Sequence, residues 1–255
     1  MLKSLLARAR QGHRTTAFPE GDAPSLPARF RGRPEIDVSK CPDGCRECAE
    51  ACPEEAILPG DGGVRVDLGR CTFCPLCEEA CPEGAISFSR DYRLATSGRE
   101  DLLVGPDEEL RLASALDGEL RRLYGRSLDL RVVSAGDCNA CAADVNVLTT
   151  IGWDIGRFGI RIVASPRHAD GLLVLGPVTR NMELALRKTF DAIPDPKLVI
   201  AVGACAISGG IYAGHDETRG IPADIPVDLY IPGCPPHPLT ILDGLLRLLG
   251  RIPSR

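Results

Sequence analysis

Aromatic side chains are scarce in this sequence: six Phe, four Tyr and one Trp among 255 residues, or 4%. A surface that grips single-stranded nucleic acid needs aromatic platforms for the bases, so composition argues against that class. Positive charge is not in excess either, and the net charge of −5 speaks against binding to phosphate backbones. No segment approaches the ~20 apolar residues that cross a bilayer as a helix. The opening Met1-Leu-Lys-Ser-Leu-Leu-Ala-Arg-Ala-Arg10 lacks the apolar run and cleavage site of an export signal, so a reducing compartment is expected. Nucleotide-loop patterns are missing too. The run Gly203–Gly210 has neither G-x-G-x-x-G nor G-K-[ST], which makes it a weak phosphate cradle. No nucleophile–base arrangement, nickel ligand set or substrate pocket is evident, so no catalytic residue is assigned.

Cysteine, by contrast, is abundant. Eight of the twelve lie between Cys41 and Cys81, as Cys41-Pro-Asp-Gly-Cys45-Arg-Glu-Cys48-Ala-Glu-Ala-Cys52-Pro53 and Cys71-Thr-Phe-Cys74-Pro-Leu-Cys77-Glu-Glu-Ala-Cys81-Pro82. The run C-x2-C-x2-C-x3-C-P gives three thiolates to one cubane and sends the fourth to its neighbour. On that pattern Cys41, Cys45, Cys48 and Cys81 hold a first [4Fe–4S] cluster, and Cys52, Cys71, Cys74 and Cys77 hold a second. The pattern resembles bacterial two-cluster ferredoxins. Residues Cys45, Cys48, Cys52, Pro53 and Ile57 recur 29 positions later as Cys74, Cys77, Cys81, Pro82 and Ile86. Such a repeat suits a pseudo-twofold fold whose halves exchange one ligand. The first half departs by one residue, Pro42-Asp43-Gly44, expected to form a bulge in the ligand loop. Four-cysteine structural zinc is the rival, since CxxC pairs also serve zinc.

The length suggests about two domains, and 44% hydrophobic residues permit a proper core. Residues 1–33 carry seven basic side chains against Glu20 and Asp22, net +5, which leaves −10 for the rest. This arm is either solvated or set against an acidic partner or lipid headgroups. Residues 1–10 have helical spacing, with Leu2, Leu5 and Leu6 on one side, and are expected to dock on a partner subunit. Residues 11–34, rich in Gly and Pro, should run as a surface strap. Ile36, Val38, Val64, Val66, Ile86 and Phe88 are strand candidates around the clusters. The segment Pro106–Tyr124, with Leu112, Leu116, Leu120 and Leu123 recurring, predicts a linker helix.

From Leu128 strands and helices alternate. Strands are expected at Leu130–Ser134, Ile160–Val163, Leu172–Leu175, Leu198–Val202 and Leu229–Ile231, and helices at Ala143–Ile151, Thr179–Ala192 and Leu239–Leu249. Alternation of this kind predicts a parallel sheet with helices on both faces, a flavodoxin-like α/β domain behind a small α+β one. The expected division is an extended arm over 1–35, a ferredoxin-like domain over 36–95, a helical linker over 96–127 and the α/β domain over 128–255. Open sheets bind ligands beyond the carboxyl ends of their strands. There lie Cys138 and Cys141, Cys205 and Cys234, the four thiols a third [4Fe–4S] cluster requires. A thioredoxin-like dithiol at Cys138-Asn-Ala-Cys141 would leave Cys205 and Cys234 unused.

Several motifs carry a wider resemblance: Asp137-Cys138-Asn-Ala-Cys141, Arg157-Phe-Gly-Ile160, Ser165-Pro-Arg-His-Ala-Asp170, Gly176-Pro-Val-Thr-Arg180, Val202-Gly-Ala-Cys205-Ala and Tyr230-Ile-Pro-Gly-Cys234-Pro-Pro236. Over residues 128–250 the chain resembles the small subunit of membrane-bound, formate-hydrogenlyase-type [NiFe] hydrogenases and the related complex I subunit. Its first 90 residues resemble the two-cluster subunit of the same complexes, so it is similar to a fusion of both. The C-x2-C spacing at Cys138 and Cys141 matches the hydrogenase branch, complex I relatives having adjacent cysteines.

The resemblance implies an electron-transfer subunit of an oxidoreductase complex with three [4Fe–4S] clusters and no complete active site. Its implied partners are a large subunit (nickel-iron or quinone-site bearing) docked over Cys138 and Cys234, integral membrane subunits, and an electron donor or acceptor protein at the ferredoxin-like domain. The implied location is cytoplasmic, on the inner face of the cell membrane. The alternatives are the matching subunit of a quinone oxidoreductase and a freestanding ferredoxin-like carrier. Where the family places glutamates after the second cysteine, this chain has Ala142 and Ala143, then Asp144. That residue is a proton-passing candidate or else a helix N-cap. Arg167 and His168 are expected to tune the third cluster, to contact the large subunit, or to be plain surface residues.

Overall fold

The computed structural model describes residues 2–12, 14–60, 63–106 and 108–253. Met1 and Asp107, which fall in two of the predicted helices, lie outside the described residues. Helix α1 (Leu2–Gln11) buries no side chain. A strap without regular structure follows and leads into the first half: β1 (Pro34–Ile36), α2 (Glu47–Glu50), β2 (Ile57–Gly60), β3 (Gly63–Asp67), α3 (Leu76–Ala80), β4 (Ile86–Phe88) and β5 (Leu103–Val104). The sequence repeat is a structural repeat. Strands β1 and β4 pair antiparallel with Ile36 opposite Ile86, and β3 pairs with β2 with Val66 opposite Ile57. Helix α2 corresponds to α3. The extra residue of the first half is absorbed before Cys45, where Gly44 has φ +75°; the residue before Cys74, Phe73, also has positive φ, +56°. Val38, expected in a strand, lies in the turn after β1 and is 38% exposed.

The expected linker helix forms only in its last part, α4 (Gly118–Tyr124), where Asp117 accepts from the Glu119 and Leu120 amides. Residues 108–117 are not helical. Leu110 and Leu112 pack on the ferredoxin-like core, whereas Ala113, Leu116 and Leu120 pack on the second domain. Leucines at helical spacing therefore serve two different cores. The backbone bonds that a helix would make go instead from Ala113 to Ala95 and from Leu116 to Leu248.

The second domain contains β6 (Leu128–Ser134), α5 (Ala140–Val147), β7 (Ile160–Ile162), β8 (Gly171–Leu175), α6 (Arg180–Ala192), β9 (Leu198–Val202), α7 (Ala204–Ser208), β10 (Leu229–Ile231) and α8 (Pro238–Leu248). Its five strands are all parallel, in the order β10-β9-β8-β6-β7. Strands β8 and β9 are buried throughout, as expected for parallel strands covered on both faces. Leu173, Leu175, Ile200 and Val202 face a core shared with α5 and α8. Leu172, Val174 and Val199 face another shared with Leu186 of α6. This is the flavodoxin-like order, and its crevice opens at the carboxyl ends around β6 and β8, where the chain crosses over in opposite directions.

Helix α5 starts three residues earlier than expected and includes Cys141. Asn139, with φ +71°, takes the N-cap position. Asp144 therefore lies within the helix and does not cap it.

Candidate iron–sulfur sites

None of the twelve cysteines is paired in a disulfide. In the ferredoxin-like domain, ligand loops precede α2 and α3, and each helix carries one buried cysteine, Cys48 or Cys77. Burial pushes the Cys41 and Cys48 thiols above their ordinary value, and each is raised further by Cys81 and Cys45. Burial pushes Cys71 up to about 12 and Cys77 up to about 11, with Cys52 and Cys74 adding to both. The structure thus gathers Cys41, Cys45, Cys48 and Cys81 in one place, and Cys52, Cys71, Cys74 and Cys77 in another. Cys52 and Cys81 have crossed to the opposite half.

Donors to sulfur repeat as well. The Ala56 amide donates to Cys52 Sγ at 3.3 Å, and the Ala85 amide to Cys81 Sγ at 3.2 Å. A third amide, of Phe73, donates to Cys71 Sγ at 3.3 Å. Thiolate sulfur is what such donors stabilise. The second set surrounds a small cavity walled by Ile57, Val66, Ile86 and Phe88, an apolar cage of cluster-binding character.

The last four thiols come together from three strand ends. Burial pushes Cys141 up to about 12 and Cys205 up to about 11; Cys234 and Cys138 add to both. Burial also raises Cys234, with Cys138 next. Space for this set depends on glycine. At Gly203, where φ is +90°, a Cβ would meet Cys141 Sγ at 2.6 Å, and at Gly210 one would meet Cys205 Sγ at 2.9 Å. Sequence reasoning misses these glycines. Their signal is the Gly-Ala-Cys and Gly-Gly flanks of Cys205, which a comparison with nucleotide loops alone passes over. Among the described residues, no three Cys, His, Asp or Glu side chains crowd closely enough to share one metal ion. A cubane asks for less crowding, because each thiolate takes its own corner iron. Thiols gathered in fours with one buried member in each set, amide donors to sulfur and glycine clearance all fit [4Fe–4S] clusters.

The sets are also in series. Cys48 of the first adds to the rise of Cys77 in the second. Thr72 and Phe73, from the second set's loop, line one cavity with Cys234 of the third. Glu54, two residues after Cys52, raises Cys205 and Cys234. Ile207 of α7 and Tyr230 of β10 pack on the ferredoxin-like core, and Tyr230 bridges to Thr96.

Asp144 lines the Cys234 cavity together with His237, and burial raises its carboxyl above the ordinary value. His237 Nδ1 accepts from the Leu239 amide at 3.1 Å and so caps α8. Arg167 and His168 are exposed on the turn beyond β7. Arg157, noted only within a motif, holds the strap: its guanidinium donates to Thr16 O at 2.5 Å and Phe18 O at 2.6 Å.

Residues 138–248 match the family described as NADH ubiquinone oxidoreductase, 20 Kd subunit. Residues 40–85 match the family described as 4Fe-4S dicluster domain. The probable membrane-bound hydrogenase subunit mbhJ of Pyrococcus furiosus is 41% identical over 152 residues, 59% of this chain and 90% of that protein. An NADH-quinone oxidoreductase subunit of Desulfovibrio desulfuricans is 39% identical over 138 residues, 53% of this chain and 75% of the relative. Formate hydrogenlyase subunit 7 of Escherichia coli is 39% identical over 145 residues, 56% of each protein.

Proposed function

This chain belongs to the family of the NADH ubiquinone oxidoreductase 20 kDa subunit, and from that premise we propose that it is the iron–sulfur electron-transfer subunit of a membrane-associated, multisubunit oxidoreductase. The observation that carries this is the row of three four-thiol sets running from the ferredoxin-like domain into the sheet domain. Cys41, Cys45, Cys48 and Cys81 would hold one [4Fe–4S] cluster, Cys52, Cys71, Cys74 and Cys77 a second, and Cys138, Cys141, Cys205 and Cys234 a third. When bound, such clusters supply reversible one-electron chemistry. The chain's own part is to bind and insulate. Ile57, Val66, Ile86 and Phe88 keep water from the second site. The Ala56, Phe73 and Ala85 amides offset sulfur charge, and Gly203 and Gly210 leave room at the third.

The active site would belong to a large subunit docked over Cys138 and Cys234, both exposed. A donor or acceptor protein would meet the ferredoxin-like end, and integral membrane subunits would hold the assembly on the inner face of the cell membrane. Among the described residues no helix is long and apolar enough to cross a membrane. The two-residue spacing of Cys138 and Cys141 supports a hydrogenase-type complex over a quinone-reducing one. Anaerobic isolation tests the reading: about twelve iron and twelve sulfide per chain are expected. About eight would remove the third site, and an iron-poor chain silent in paramagnetic resonance after dithionite would overturn the proposal. Nickel in the co-purified complex would place it in the hydrogenase branch, while quinone reduction without nickel would place it in the other.

A further inference from the structure

Helix α1 is a cationic amphipathic helix that the rest of the fold leaves uncovered. None of its side chains is buried, and Leu2, Leu5 and Leu6 are 72, 64 and 49% exposed. At about 3.6 residues per turn these three leucines and Ala9 form one stripe. Lys3 and Arg10 lie along one flank of it and Arg8 along the other. The first carboxylate of the chain is Glu20. A second apolar group stands where the helix is rooted. The chain leaves α1 at Gly12, and by Thr15 it is bonded to the loop after α5: Thr15 Oγ1 donates to Ile151 O at 3.1 Å, and the Thr16 amide to Gly152 O at 2.9 Å. Ile151 is 75% exposed.

We propose that α1 and Ile151 form a lipid-facing patch that seats this chain on an anionic bilayer surface. Apolar side chains bordered by cations suit the headgroup boundary, where leucines enter the acyl region and the long basic chains reach back to phosphate. Cations on both flanks, with no acidic residue before Glu20 in the sequence, favour a uniformly negative lipid surface over one protein groove. Helix α5 begins at the third thiol set and ends shortly before Ile151, so this patch lies at the far end of α5 from Cys141. The inference deepens the membrane association proposed above and rests on that reading.

The test is flotation of the full chain, with clusters reconstituted anaerobically, on vesicles of phosphatidylglycerol and phosphatidylcholine or of phosphatidylcholine alone. Binding is expected on the anionic vesicles only, weakening as salt is raised. Replacing Lys3, Arg8 and Arg10 by Gln should lower partitioning about fivefold per cation, and Leu5→Glu with Leu6→Glu should abolish it. Because α1 buries nothing, both variants should keep the wild-type iron content, which reports separately on the electron-transfer reading. Absence of wild-type flotation, flotation indifferent to the leucines, or capture only by vesicles containing a membrane subunit would overturn the proposal.

Discussion

Gly203 sits so close beneath Cys141 that a methyl group on it would come within 2.6 Å of the sulfur, and its φ of +90° is one that L side chains rarely adopt. Gly203→Ala is therefore expected to displace a ligand of the third set while leaving the ferredoxin-like domain intact. Iron should fall from about twelve to about eight per chain. Full iron in the purified variant would contradict this.

Ligand exchange between the halves makes a prediction about pairs of variants. Cys81 gathers with Cys41, and Cys52 with Cys74, against their order in the chain. Cys41→Ser and Cys81→Ser should thus remove the same paramagnetic signal, and Cys52→Ser and Cys74→Ser the other. A shared loss between Cys74→Ser and Cys81→Ser would disprove the crossing.

Within α8, Arg247 Nε donates to Asp243 Oδ2 at 2.7 Å, with 5 and 2% of the two side chains exposed. Arg247→Met would strand a buried carboxylate, at a cost of about 3–5 kcal/mol near neutral pH, a Tm lower by on the order of 10 °C for a chain this long. Burial already raises the Asp243 carboxyl above its ordinary value, with Arg247 pulling it back. Loss of Arg247 raises it further. A carboxyl raised by folding is best tolerated when protonated, so the deficit should be least at acid pH and grow as pH rises past the ordinary carboxylate range. Thermal melts at two pH values check the sign.

Arg157 grips the strap at Thr16 and Phe18, and Phe18 lies buried, edge-on to Tyr92 at 6.1 Å. Arg157→Ala should loosen residues 14–20 without touching a thiol. Faster proteolysis there, at unchanged iron content, is the expected outcome.

Much of the fold could be read from the sequence because the grouping of the cysteines follows their spacing, and the 29-residue repeat carried over into Ile36–Ile86 and Val66–Ile57 pairing. Strands β8 and β9 were legible as unbroken apolar runs. Residues 108–117 were not, since Leu112 and Leu116 have helical spacing yet belong to separate cores, and only tertiary contacts tell them apart. Helices α2 and α3 are too short to show a period. The role of Gly203 depends on a sulfur 62 positions away in the chain, which no local pattern encodes.

The strap has one more consequence. Before entering the ferredoxin-like domain the chain first crosses its neighbour at Ile151 and Arg157, and is then clamped at Leu26 and Pro27 by Arg90. A cut near residue 108 would leave the amino-terminal fragment still lashed around the carboxy-terminal one. The two halves could therefore be produced as separate polypeptides and still recognise each other by an embrace that neither thiols nor metal supplies.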